Sequence, residues 1–277
     1  MKNNAFFVVA AALTVIACLT PASASSSFAS SSEEVREDNI FQVSVIRATV
    51  EGLYDGVMTF GDLKEHGNFG IGTFERLDGE LVVLDGVFYQ LKADGTASLA
   101  EDSMDTPLAT VTFFDADRNL SLDERMNFTE LESYLDEHIP TENIFYAIRI
   151  DGSFDYLKTR SVPAQEKPYP PLAEAVKEQT TLEFRNVTGT IVGFRYPDFA
   201  EGLGLPGYHM HFITSDRSSG GHLLDCVVRN ASISIDEISE FEMALPKDQD
   251  FLRADLSDDK QEELKEAESN PAASSGS

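Results

Sequence analysis

Along most of this chain the apolar positions fall in short runs between turn signals, a spacing that predicts strands rather than helices. Phe41 to Val50 alternates loosely and is rich in β-formers. Asp-Gly pairs recur at Asp55-Gly56, Asp78-Gly79, Asp85-Gly86 and Asp94-Gly95, with Leu81-Val82-Val83-Leu84 and Val87-Phe88-Tyr89-Gln90-Leu91 between them. Apolar runs punctuated in this way read as an antiparallel meander, continued at Thr110 to Phe114. Gly67, Gly70 and Gly72 form a glycine-rich stretch without the Gly-Lys-Ser/Thr of a phosphate loop. They predict a tight turn or a close backbone approach instead.

The helical period is confined to a few places. Thr129-Glu130-Leu131-Glu132 has the form of a capping box, followed by Leu131, Tyr134 and Leu135 on one face. Leu172 to Glu178 predicts a short helix, and the acidic stretch Asp255 to Glu268 a partly helical tail. Between the first two lie strands at Asn143 to Arg149 and Phe154 to Val162, with a turn expected at Asp151-Gly152. Pro163, Pro168, Pro170 and Pro171 then interrupt regular structure, which suggests a domain boundary. Strand patterns return at Thr188 to Phe194, Tyr208 to Ile213, His222 to Val228, Ala231 to Ile235 and Phe241 to Ala244. The expected architecture is α+β: a β-rich N-terminal domain over 38–165 and a second domain over 166–254. Extended mixed or antiparallel sheets carry a few flanking helices. An acidic tail follows over 255–277, its last residues, Pro271 to Ser277, small and polar.

The chain begins like an exported protein. Lys2 is followed by an uncharged apolar run from Ala5 to Leu19, shorter than a bilayer-spanning helix needs, and Ala22-Ser23-Ala24 suits cleavage. Val15-Ile16-Ala17-Cys18 also resembles a lipobox, so lipid anchoring at Cys18 stands beside free export. Residues 1–24 are then a leader (or 1–17 a lipoprotein signal), and 25–37 a Ser-rich linker. Cys226 has no partner once Cys18 is removed or lipidated, and its apolar strand predicts a buried thiol. A net charge of −27 argues against a nucleic-acid or anionic membrane partner. An anionic substrate would need local positive charge at its site.

Three of the five histidines, His209, His211 and His222, lie within fourteen residues. His209 and His211 share one face of a strand, and the turn residues Ser215 to Gly221 fold His222 back across a hairpin. A lone strand histidine is ordinarily just a tolerated polar residue. Three converging imidazoles make a zinc site with a position left open for water or substrate. His138, near a helix end, and His66, in a loop, carry no such signal.

Leu77-Asp78-Gly79-Glu80-Leu81, Lys158-Thr159-Arg160-Ser161-Val162, Lys167-Pro168-Tyr169-Pro170, His209-Met210-His211-Phe212-Ile213 and Gly220-Gly221-His222-Leu223-Leu224-Asp225 together resemble acetolactate decarboxylase, over roughly residues 38–268. The resemblance implies Zn2+ on His209, His211 and His222, with Glu80, Arg160 and Glu268 completing the site. It also implies two α/β domains, often in a homodimer, and conversion of 2-acetolactate to acetoin and carbon dioxide. The chemistry is coherent. Loss of carbon dioxide leaves an electron pair delocalised as an enediolate, which zinc can chelate through the ketone and hydroxyl oxygens. Arg160 is a better carboxylate clamp than proton donor because its guanidinium stays charged, and the glutamates are candidates for proton transfer. Without the resemblance, Glu80 reads as an exposed acid after a turn, Arg160 as an ion-pair partner and Glu268 as part of a solvated tail. The tail must then fold back onto the metal site. Two other readings compete: a different metalloenzyme, such as a cupin-like dioxygenase or a hydrolase, and a non-catalytic exported metal-binding protein. The last predicts that Glu80 and Arg160 lie away from the histidines.

Overall fold

The computed structural model describes residues 38–257, together with residues 260, 264, 267 and 268 of the tail. The expected leader, the Ser-rich linker and Pro271 to Ser277 lie outside the described residues. In chain order the strands are β1 (Asn39–Val43), β2 (Met58–Thr59), β3 (Phe69–Thr73), β4 (Glu80–Leu84), β5 (Val87–Leu91), β6 (Ala97–Leu99), β7 (Asp105–Thr106) and β8 (Ala109–Thr112). Then come β9 (Arg118–Leu122), β10 (Met126–Asn127), β11 (Phe145–Ser161), β12 (Thr180–Tyr196), β13 (Gly207–Thr214), β14 (Gly220–Ile238) and β15 (Glu240–Ala244). The α-helices are α1 (Ile46–Val50), α2 (Phe60–Leu63), α3 (Phe128–His138), α4 (Leu172–Ala175) and α5 (Gln249–Arg253). The fold is α+β and strand-rich, as expected.

One seven-stranded sheet runs β15-β1-β8-β3-β4-β5-β6, antiparallel except for the β1–β15 pair. Both faces of this sheet are covered, which is why Leu81 to Leu84 is continuously apolar. Leu81 and Val83 pack with Phe41, Phe60 and Phe88 on one side. Val82 and Leu84 pack on the other, with Phe69 and Ile71 and with Ala147, Val192, Phe194 and Ile213 of the second sheet. Asp85 and Gly86 have φ of 53° and 75° and join β4 to β5 as a two-residue hairpin, the conformation an Asp-Gly pair favours. Gly70 and Gly72 are close-approach glycines: an added Cβ would lie 2.4 Å from the Thr110 carbonyl and 2.5 Å from that of Leu108.

The second sheet contains β9 to β14, and its pairings β11–β12, β12–β13, β13–β14 and β14–β11 close a ring. Inside it Ile148, Ile150, Phe154, Phe212 and Ile233 pack with Leu131 and Leu135 of α3. The boundary expected near residue 165 falls between β11 and β12, which pair along their length, so it separates no sheets. The second sheet begins instead after β8, β15 returns to the first, and β2 and β7 pair in a small sheet of their own.

Three local expectations are corrected. Asp151-Gly152 is no turn; β11 runs straight through it, with Gly152 opposite Ala231 and Gly189. The glycine is there because a Cβ would meet the Asn230 carbonyl at 2.7 Å, beside a register shift at Ser153/Phe154. The runs His222 to Val228 and Ala231 to Ile235 are one strand, β14. The α3 cap is Asn127, not Thr129: its side chain accepts from the Glu130 N–H at 3.0 Å and the Glu130 carboxylate accepts from the Asn127 N–H at 2.8 Å. An Asn side chain forms the same reciprocal pair as Thr, and the helix starts two residues earlier.

Candidate metal centre

The histidines are placed by strand register. β13 carries His209 and His211 on one face, and His211 pairs directly with His222 on β14. On its other edge β14 pairs with β11, which sets His222 opposite Arg160. His211, His222 and Arg160 therefore stand in one cross-strand row, where facing side chains share a side of the sheet. One ring nitrogen from each of His209, His211 and His222 falls within 4.8 Å of the others.

Backbone carbonyls fix two of the tautomers, because a carbonyl can only accept. His211 donates from Nδ1 to the Leu81 carbonyl at 2.8 Å, which leaves Nε2 bare. That Nε2 is buried and has no hydrogen-bond partner among the described residues. His222 donates from Nε2 to the Glu268 carbonyl at 3.2 Å, which leaves Nδ1 bare. His222 Nδ1 lies 3.2 Å from His209 Nε2. Two nitrogens held about 2.05 Å from one tetrahedral zinc are roughly 3.3 Å apart, so this spacing suits a shared ion. Burial is the main force lowering the pKa of all three rings, with Arg160 adding to it, so they are neutral and free to act as ligands.

The other three expected residues meet the histidines. Glu80, at the start of β4, brings Oε2 to 3.5 Å from His211 Nε2. Burial pushes its carboxyl up to about 8; Arg160 opposes this and Glu268 adds to it. Glu268 is helical and folds back from the tail, with Oε2 3.3 Å from His222 Nε2 and 3.8 Å from His209 Nε2. Arg160 Nη2 donates to Glu268 Oε2 at 2.9 Å, and Nη1 donates to the Ala267 carbonyl and, at 3.4 Å, to Gln179. Leu264 and Ala267 are buried with Ile46, Val50, Leu77, Val162 and Leu172, which holds this end of the tail in place. His138 and His66 lie elsewhere: His138 Nδ1 bonds the Tyr134 carbonyl and His66 stacks on Phe41 at 3.6 Å. Cys226 is fully buried and free, and burial raises its thiol pKa.

Thr49, Thr73 and the apolar residues Ile46 and Leu172 also line the cavity, and sequence reasoning passed over them, as it did Gln179. Nothing in their local pattern separates them from ordinary core or helix-end residues.

A family model described as alpha-acetolactate decarboxylase matches residues 40–258. The chain belongs to the alpha-acetolactate decarboxylase family. It is 50% identical to an alpha-acetolactate decarboxylase of Methanosarcina mazei over 231 residues, 83% of this chain and 80% of that one. It is 38% identical to one from Brevibacillus brevis over 259 residues, 94% of this chain and 91% of the relative. The crystal structure of the alpha-acetolactate decarboxylase of Bacillus subtilis strain 168 superposes with a TM-score of 0.82 at 41% identity, covering 84% of this chain and 100% of that one. A family enzyme of this kind takes a small-molecule substrate. The non-catalytic reading required Glu80 and Arg160 to stand apart from the histidines, and they do not.

Proposed function

We propose that this chain decarboxylates 2-acetolactate to acetoin and carbon dioxide with Zn2+ held by His209, His211 and His222. The observation that carries the metal is the pair of bare nitrogens on His211 and His222 beside His209. A zinc ion held by these three residues would supply Lewis-acid stabilisation of the negative charge that develops on the substrate as carbon dioxide leaves. Arg160 orients the substrate carboxylate: its Nε–H is buried without a partner and its charge is permanent. Glu80, whose carboxylate lies 3.5 Å from His211 Nε2, is the group that passes a proton to the carbon that loses carbon dioxide. Glu268 occupies the space beside the His209 and His222 nitrogens. The cavity measures only about 40 Å³.

The test is acetoin formation from racemic 2-acetolactate by the purified mature protein, with and without a strong zinc chelator. Chelator-sensitive acetoin supports both parts of the reading. Acetoin that survives complete metal removal sinks the zinc, and none from folded, zinc-loaded protein sinks the reaction. The leader-like N-terminus adds export to the proposal, checked by whether the mature chain appears outside the cytoplasm.

A further inference from the structure

Native interiors leave few buried polar atoms unpaired, and each one calls for an explanation. Among the described residues His211 Nε2, Arg160 Nε and the Thr49 hydroxyl are such atoms, and all three residues line the same cavity. The first is explained by the metal and the second by a substrate carboxylate. Thr49 has no role in the reading above. It sits in α1, 4% exposed, and no carbonyl of its own helix accepts its hydroxyl. Around it the cavity wall is apolar, with Ile46, Leu77, Val162 and Leu172, which suits the methyl groups of a branched acid.

We propose that Thr49 is a substrate-positioning residue whose hydroxyl donates a hydrogen bond to the carboxylate of the bound 2-hydroxy acid, beside Arg160. This rests on the decarboxylase reading. The carboxylate is the oxygen group left over once the metal takes the ketone and hydroxyl. The carboxylate is held in the bound substrate and stays in place while its bond to carbon stretches, so a hydrogen bond to it stabilises the bound substrate and the transition state about equally. Its removal therefore raises KM and leaves kcat alone.

The experiment uses zinc-loaded mature protein as wild type, Thr49→Val and Thr49→Ser. KM and kcat are measured with racemic 2-acetolactate. Binding of 2-hydroxy-2-methylpropanoate is measured by calorimetry; this acid keeps the hydroxyl and carboxylate but has no ketone and cannot react. Bound zinc and Tm are recorded for each protein. A hydrogen bond to a charged group is worth about tenfold or more in affinity. The expected result is that T49V raises KM and the Kd of the probe about tenfold or more, with kcat within about twofold. Its zinc content is unchanged and its Tm no lower, because the unpaired hydroxyl is gone; T49S restores both constants to within about threefold. The proposal is overturned by unchanged KM and Kd in T49V, by a fall in kcat with KM constant, or by a loss that tracks zinc or Tm. A wild type that binds the probe but forms no acetoin overturns the decarboxylase reading, and Thr49 is then judged on Kd alone. A wild type that binds neither compound overturns Thr49 as well.

Discussion

Asp236 on β14 offers a measurable link between burial and pH. It is 1% exposed, its Oδ2 accepts from the Asp115 N–H at 3.2 Å, and Asp38, Asp115 and Asp117 surround it with like charge. Burial, and then those neighbours, push its carboxyl up to about 7. In the unfolded chain an aspartate titrates near 3.9, so between about pH 4 and pH 7 the folded state holds a proton that the unfolded state has lost. Its stabilising contribution is complete below pH 4, declines as pH rises, and is gone above the folded pKa. The difference from the unfolded value, at about 1.36 kcal/mol per pH unit, is worth on the order of 4 kcal/mol. Asp236→Asn removes the titration and keeps an acceptor for Asp115. Urea unfolding of both proteins from pH 4 to pH 8 therefore gives curves that diverge in favour of the variant as pH rises. The offset at pH 4 reflects how the amide packs; the change in offset reflects the proton. A stability difference constant across that range refutes the reasoning.

Four further outcomes follow from the same geometry. His211→Ala removes the proposed metal ligand whose tautomer the Leu81 carbonyl fixes; bound zinc, by elemental analysis, should fall well below one per chain and acetoin formation with it. Glu80→Gln keeps the shape but not the proton, so kcat should drop about 10²- to 10⁴-fold with zinc retained; an unaffected kcat in stopped-flow carbon dioxide release would remove Glu80 from proton transfer. Gly152→Ala puts a Cβ 2.7 Å from the Asn230 carbonyl and should cost about 1–3 kcal/mol in chemical denaturation, whereas a stability-neutral variant would mean the strands part freely there. Cys226, fully buried, should react with a thiol reagent only after unfolding; fast labelling of native protein would contradict its burial.

Much of the fold was legible because its signals are local. Asp85-Gly86 dictates a hairpin through its own backbone preferences, and the apolar run of β4 announces a strand. Where a local signal had two readings, the neighbour decided. Asp151-Gly152 looked like a turn, and only the approach of Asn230 shows why a glycine stands inside a long strand. The cap of α3 moved by two residues because Asn127 satisfies the same helix-end N–H groups as Thr129. The proline stretch looked like a boundary, yet β11 and β12 on either side of it are partners.

The sequence by itself marked the three histidines as a candidate metal-binding set, because strand period and a hairpin turn are short-range properties that place His209, His211 and His222 together. Residues of similar chemistry at Glu80, Arg160 and Glu268 carried no such meaning except through resemblance to a family. Only the tertiary structure decided that they meet. Arg160 reaches the histidines through the β11–β14 register, Glu80 through the packing of one sheet on the other, and Glu268 through a tail anchored by Leu264 and Ala267. The same holds for the environment that gives these groups their chemistry. A carboxyl at about 8 and imidazoles kept neutral are products of desolvation, and desolvation belongs to the assembled core, not to any residue or its neighbours along the chain.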